Sequence, residues 1–126
     1  MIALAFLASI SDDIDTLGTA VAKCDRPVVN ATFSAEVGRR SDFMRQTFRE
    51  QEAIVAARRD LSQRRLALRS NAGAQAPGLA VLDNEGAIIE DRQRALNDQR
   101  LLENLRQESM DQLRRLFLQN CAPGKN

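Results

Sequence analysis

The chain of 126 residues contains no histidine, no tryptophan and no tyrosine, and it has only two cysteines, three prolines and six glycines. Without histidine it lacks the commonest general base and the commonest metal ligand of proteins. Its only aromatic residues are five phenylalanines, so the large side chains that usually fill a compact core are scarce. These absences argue against most enzyme and metal-binding classes and against a compact globular domain.

The residues that are present favour long helices. Charged residues make up 28% of the chain, and 16 of its 18 basic residues are arginine. Arg, Leu, Ala, Gln and Glu dominate residues 31–119, a composition typical of long helices. We therefore predict an all-α fold, a long antiparallel two-helix hairpin of coiled-coil type that follows a short N-terminal helix.

Helix-breaking residues set the predicted boundaries. Asp25 can cap a helix whose first turn holds Pro27, and Gly73 is suited to end that helix. The two long helices should therefore span about 26–70 and about 80–119.

The segment 79–89 allows a second interpretation, because its apolar residues flank a turn-forming sequence and could form a small β-hairpin. A helix is preferred, since Asp83 or Asn84 can cap it. Residues 11–126 are predicted to form one domain.

Apolar spacing suggests how the two helices meet. Phe33, Met44, Val55 and Leu66 recur every 11 residues in the first long helix, a period close to that of a straight helix. We predict that this row, together with Val37 and Phe48, contacts the second helix. The second helix carries apolar residues at Leu82, Ile89, Leu96, Leu102, Leu105, Leu113 and Phe117.

Six further apolar residues lie off this predicted contact: Phe43, Ile54, Leu61, Leu68, Leu101 and Leu118. Pairing of two hairpins into a four-helix arrangement would cover several of them. The sequence therefore allows a homodimer.

Residues 1–10 resemble the hydrophobic core of a secretory signal peptide, although the usual basic residues before that core are missing. The run is too short to span a membrane. We interpret 1–10 as a short or incomplete signal peptide. The alternative is an apolar helical turn that packs on the hairpin.

Cys24 and Cys121 bracket nearly all of the helix-forming sequence, and their midpoint lies beside the predicted turn. The symmetry predicts a disulfide bond at the open end of the hairpin. Disulfides persist in oxidising compartments, so we expect a periplasmic or secreted protein. The alternatives are two free thiols in a cytosolic protein and a bond between two chains.

Charges on the two predicted arms are opposite in sign. Residues 31–70 contain nine arginines and five acids, whereas residues 80–119 contain six arginines and eight acids. The arginine cluster taken alone resembles a nucleic-acid-binding stripe, but no aromatic residues interleave it to stack on bases. We instead predict charge pairing between the helices, involving Arg58, Arg59, Arg64 and Arg65 on one arm and Asp83, Glu85, Glu90 and Asp91 on the other. Nearer the open end, Glu36 should face the region of Arg114, and Arg39 that of Asp111.

No catalytic or cofactor motif is present in the sequence: it has no C-x-x-C pair, phosphate-binding loop, dinucleotide fingerprint or G-x-S-x-G. Two cysteines without histidine do not make an ordinary zinc site. We expect no enzymatic activity, no cofactor and no metal.

The predicted shape and the arginine-rich helical composition resemble those of the OmpH/Skp-like periplasmic chaperones, which grip unfolded clients between helical arms, although no stretch matches their N-terminal strand region. We therefore predict an exported interaction protein, chaperone-like or structural, with a protein partner. One alternative is a phage or envelope lysis accessory coiled coil of the spanin type, which needs a membrane anchor. Another is a cytosolic coiled coil that binds a protein or nucleic acid.

Overall fold

A computed structural model describes residues 13–73 and 77–121 of the chain. Three helices are present in this part: α1 (13–22), α2 (Arg26–Ala72) and α3 (Leu79–Asn120). The predicted fold class is confirmed, since α2 packs antiparallel against α3 as a helical hairpin that follows a short helix. Segment 79–89 is part of α3. The interpretation of 1–10 as a signal peptide falls outside the described residues.

The junction between α1 and α2 is a tight helix end. Cys24 has a φ of 51°, the left-handed conformation that glycine usually occupies at this position. The Asp25 N–H donates to the Ala20 carbonyl at 2.9 Å, and the Cys24 N–H donates to the Val21 carbonyl at 3.1 Å. This crossed pair of bonds is a Schellman motif, which satisfies carbonyls that the end of α1 leaves open.

The ends of α2 follow from its terminal residues. The Asp25 carboxylate accepts a hydrogen bond from the Val28 N–H at 3.4 Å, the arrangement of a helix N-cap. At the other end, the Gly73 N–H donates to the Arg69 carbonyl at 2.9 Å. Gly73 has a φ of 83°, which costs little in the absence of a side chain.

The hairpin contains two compact units. One unit, which we name the clasp unit, comprises the described residues before Phe43 and after Arg100. Its core draws on all three helices and consists of Leu17, Ala20, Val21, Val29, Met110, Phe117 and Cys121. The other, which we name the turn unit, is Phe43–Arg100. Its core consists of Ile54, Leu61, Leu82, Ile89 and Leu96.

The predicted contact row of α2 is wrong. Met44, Val55 and Leu66 are 65%, 46% and 69% exposed, whereas Ile54 and Leu61, which were expected off the contact, are 0% and 4% exposed. Val37 and Phe48 are also exposed, and of the predicted row Phe33 packs against the core.

The contact between α2 and α3 follows a seven-residue period. Buried residues of α3 recur at Leu82, Ile89, Leu96, Glu103, Met110 and Phe117. Buried residues of α2 include Thr47, Ile54 and Leu61 at the same spacing. A seven-residue period is the spacing of contacts in coiled coils.

Candidate functional site

A disulfide bond joins Cys24 to Cys121 in the clasp unit, with the Cα atoms 5.4 Å apart. This separation is ordinary for a disulfide. Cys121 is 2% exposed and belongs to the core of the unit. The bond therefore sits against packed apolar side chains and ties the end of α3 to the junction of α1 and α2.

The Arg26 side chain caps the C-terminal end of α3. Its guanidinium donates to the Cys121 carbonyl at 2.5 Å and lies over the Phe117 ring, 5.0 Å from the ring centroid. A cation at this place satisfies a terminal carbonyl and opposes the negative end of the helix dipole. The contact with the ring adds a cation–π interaction.

A cluster of polar side chains lies buried between the helices of the clasp unit. Glu36, Glu103 and Arg106 are only 8%, 8% and 5% exposed. The Glu36 carboxylate accepts hydrogen bonds from Arg39, Arg106 and Gln107, each at 2.9 Å from one of their nitrogens. Arg39 also donates to Glu103 at 2.5 Å. The cluster is thus internally paired, as buried charges must be.

Electrostatics keep Glu36 and Arg39 ionised. Burial alone would raise the pKa of Glu36, but the hydrogen bonds from Arg39, Arg106 and Gln107 lower it to about 2. Burial alone would lower the pKa of Arg39, but its carboxylate partners raise it above its ordinary value. Asp13 of α1 lies 3.7 Å from Arg106, so all three helices contribute charge to the cluster.

Two predicted pairings in this region are wrong. Glu36 was expected near Arg114 and binds Arg106, which lies about two helical turns closer to the start of α3. The same shift applies to Arg39, which was expected near Asp111. The physical reason is the spacing of buried positions, which is eleven residues between Glu36 and Thr47 of α2 but stays at seven along α3. A register measured outward from the turn therefore does not hold at Glu36.

Sequence reasoning missed Glu103 and Arg106, although a signal was present. The heptad series that runs through Leu96 continues to Glu103 and then to Met110. Glu103 is the one acid on a helix face that is otherwise apolar. A charged residue at such a heptad position is expected to be buried and to need a partner of opposite charge.

Six of the eight residues predicted to pair charges between the helices do so in the turn unit: Arg58 with Glu90, Arg64 with Glu85 and Arg65 with Asp83. The hydrogen bond from Arg64 lowers the pKa of Glu85. These side chains are between 32% and 69% exposed, and exposed pairs contribute only about 0.2–1 kcal/mol each. Their main effect is on the register of the helices.

Arg59 and Asp91 are not brought together. Asp91 binds Arg94 of its own helix at 2.5 Å. Arg59 forms no ion pair within residues 13–73 and 77–121, and it lines a cleft beside Val55 on the face of α2 that carries the exposed row. The expectation failed because Arg59 belongs to that face and Arg58 to the side that reaches Glu90.

A groove of about 550 Å³ lies between α2 and α3 in the clasp unit. Val37 and Leu118, two of its lining residues, are 72% and 63% exposed. The Arg114 guanidinium, also in the lining, lies 5.8 Å from the centroid of the Phe33 ring. Apolar and cationic groups therefore share one concave surface.

The charge of the groove is positive on balance. Its lining contains Arg26, Arg40 and Arg114 against Asp111 and Glu36, and Glu36 is already held by the buried cluster. Neither Arg40 nor Arg114 makes an ion pair with any residue that the structure describes. Their guanidinium groups remain able to bind a carboxylate.

No family model, curated protein or solved structure matches this chain. Among the described residues, no three side chains of His, Cys, Asp or Glu are grouped so that they could hold a metal ion. No helix in that part of the chain is long and apolar enough to cross a membrane.

The chemistry of the groove itself defines what it can bind. Exposed apolar side chains favour apolar groups of a ligand, and free guanidinium groups favour carboxylates. A protein segment that carries both satisfies the two requirements together.

Proposed function

We propose that the protein is an exported interaction module, chaperone-like or structural and without enzymatic activity, which binds a segment of a partner protein in the groove of the clasp unit. The segment has apolar side chains and at least one carboxylate. A homodimer of hairpins is part of this proposal.

One observation carries the proposal: Val37 and Leu118 stay exposed beside two arginines, Arg40 and Arg114, that have no ion pair in the described part of the chain. Elsewhere in the clasp unit, charged side chains such as Arg39 and Arg106 are paired, and Arg106 is buried. A concave surface with both apolar and cationic groups suits an acidic amphipathic segment.

The proposal of export is supported by the cysteine pair. Cys121 is a core residue, so its disulfide with Cys24 contributes to folding. Such bonds persist where thiols are oxidised. Intact mass of the protein isolated from its producing cells tests this point. A gain of about two daltons on reduction, with the first residues removed, supports export, and an unprocessed chain with free thiols contradicts it.

The ion pairs of the arginines in the turn unit bear on whether the partner is a protein or a nucleic acid. Arg58, Arg64 and Arg65 bind carboxylates of α3, so their charge is partly neutralised within the hairpin. This supports a protein partner over a nucleic acid, which needs free cations along its backbone.

The test uses two short synthetic peptides of identical leucine pattern, one with glutamates and one with lysines at the polar positions. We expect the glutamate peptide to bind and the lysine peptide to bind at least about tenfold more weakly, measured by fluorescence anisotropy. The double substitution Arg40→Glu with Arg114→Glu should remove this preference, and Leu118→Ser should weaken binding of the glutamate peptide.

Two substitutions outside the groove serve as matched controls. Arg115→Glu reverses an exposed arginine of α3, and Leu105→Ser changes a leucine that is 49% exposed. Both should leave peptide binding unchanged. Equal binding of the two peptides, or equal losses in groove and control variants, contradicts the proposal.

A further inference from the structure

The turn unit carries a row of exposed apolar side chains on α2. Met44, Phe48, Val55 and Leu66 are 65%, 64%, 46% and 69% exposed. Eleven residues of α-helix make close to three full turns, so Met44, Val55 and Leu66 point in nearly the same direction. The row is about 33 Å long. Single exposed apolar residues are common, but four on one helix face over this length mark a contact surface.

The row is symmetric about Val55. Met44 lies 11 residues before Val55 and Leu66 lies 11 residues after it. When a second copy of the helix is laid antiparallel with Val55 on the two-fold axis, Val55 meets Val55, and Met44 of each copy meets Leu66 of the other. Such self-complementarity is what a two-fold interface between identical chains requires.

Side-chain size follows the same symmetry. Phe48 lies seven residues before the axis and Ser62 lies seven residues after it. In the antiparallel arrangement the exposed Phe48 ring of one copy therefore faces the small Ser62 of the other. A large side chain opposite a small one is the arrangement that lets two helix surfaces pack closely.

Charge also matches across the axis. Glu52 and Arg59 border the row and line one cleft with Phe48 and Val55. Neither forms an ion pair within the described residues. Like flanks of two antiparallel helices face each other, and the two residues lie three positions before and four positions after Val55. Glu52 of each copy therefore meets Arg59 of the other.

We propose that two copies of this protein pair antiparallel through the row formed by Met44, Phe48, Val55, Ser62 and Leu66, with Val55 on the axis and two Glu52–Arg59 ion pairs at its border. The partner is a second copy because apolar spacing, side-chain size and charge all match under one two-fold operation. This pairing rests on the homodimer that is part of the proposed function. Its surface is separate from the groove of the clasp unit, so loss of pairing, seen by sedimentation, is distinguishable from loss of peptide binding.

Sedimentation velocity over a range of concentrations tests the pairing. The unmodified protein should form a dimer in the micromolar range, and Val55→Asp should raise the dimer dissociation constant at least about tenfold, because two carboxylates then meet on the axis. Val55 is already half-exposed, so circular dichroism should show unchanged helix content. Val81→Asp, at a valine of α3 that is 62% exposed, should leave the dimer intact.

Charge exchange gives a sharper test. Glu52→Arg alone and Arg59→Glu alone should each weaken the dimer about tenfold, since each places like charges opposite one another. The double substitution Glu52→Arg with Arg59→Glu should restore the dissociation constant to within about threefold of the original. Lack of restoration contradicts the assigned register.

Cross-linking locates the axis directly. Both native cysteines are in the disulfide, so Val55→Cys adds a single reactive thiol. It should form an interchain disulfide that doubles the mass on non-reducing gels and disappears with reductant, whereas Val81→Cys should not. A chain that remains monomeric at about 100 µM, or a dimer that Val55→Asp does not weaken, overturns the proposal.

Discussion

Glu36 remains charged inside the hairpin because three donors surround it. A buried carboxylate without such partners would take up a proton. Its pKa near 2 lies below the ordinary value of 4.5, so its ionised form is more stable in the folded chain than in the unfolded chain. The stabilisation is therefore complete above about pH 4.5 and is lost as the pH falls toward 2.

Replacing Glu36 by glutamine should remove this pH dependence. At pH 7 we expect Glu36→Gln to lower the free energy of unfolding by about 3 kcal/mol, because the buried Arg106 then loses its nearest counter-charge. The difference from the unmodified protein should shrink between about pH 4.5 and pH 2. Urea titrations across this range measure it, and a difference that stays constant with pH would count against the assignment.

Cys24 holds a backbone conformation that suits glycine. Its φ of 51° costs about 1 kcal/mol for a residue with a side chain. In a background with Cys121→Ser, we therefore expect Cys24→Gly to be about 1 kcal/mol more stable than Cys24→Ala, measured by chemical unfolding. Equal stability would mean that the disulfide, and not the helix end, imposes this conformation.

The contact face of α2 is the feature that sequence reasoning misplaced. The clearest apolar spacing in this helix belongs to its exposed row, while polar residues such as Glu36 and Thr47 occupy buried positions. Apolar periodicity shows which residues share one apolar face of a helix. It does not distinguish a face that packs within the hairpin from a face that stays exposed. In α3 the heptad through Leu82, Ile89 and Leu96 is apolar and buried as predicted, whereas Leu105, from the same predicted set, is 49% exposed.

A matched pair of isoleucines tests the assigned contact face. Ile54 is 0% exposed and Ile88 is 54% exposed. Ile54→Ala should lower the free energy of unfolding by about 3 kcal/mol, since it leaves a cavity in the core of the turn unit. Ile88→Ala should change it by no more than about 0.5 kcal/mol. Equal losses would show that the 11-residue spacing, and not the heptad, describes the packing.

Two glycines inside the helices differ in the space around them. A Cβ atom at Gly38 would meet nothing within 4 Å, whereas one at Gly86 would lie 2.8 Å from an Arg65 nitrogen and 3.3 Å from a Leu61 methyl. The close approach explains a glycine inside α3, at its eighth residue, because the Arg65 side chain passes the helix there to reach Asp83.

Alanine substitutions should separate these cases. Gly38→Ala should raise the free energy of unfolding by about 0.5–1 kcal/mol, because alanine is the better helix former. Gly86→Ala should gain less or lose stability, since Arg65 must move. Thermal unfolding of both variants measures the difference, and an equal gain at Gly86 would show that Arg65 moves without cost.

At the scale of the molecule, helix-breaking residues and composition were enough to predict the hairpin. Asp25, Pro27 and Gly73 mark boundaries whose local chemistry does not depend on packing, so they can be recognised in the sequence. The left-handed conformation of Cys24 and the partner of Glu36 depend on tertiary contacts and could not be recognised. The groove arises only when α2 and α3 lie side by side.

The disulfide should supply much of the stability of the folded chain. It joins residues separated by 97 positions, and closing so long a loop is worth about 4–5 kcal/mol in the chain-entropy model. The double substitution Cys24→Ser with Cys121→Ser should lower the free energy of unfolding by about that amount. Reductant should shift the unmodified protein to the same value and leave the variant unchanged; a smaller common shift would point to residual structure in the unfolded state.

The same bond makes the segment from Cys24 to Cys121 a covalently closed ring that contains both long helices. A protease that cuts the backbone once between α2 and α3 opens the ring without releasing a fragment. The two pieces stay one molecule, so their reassociation after unfolding does not depend on protein concentration. Only a second event, reduction of the bond, separates them.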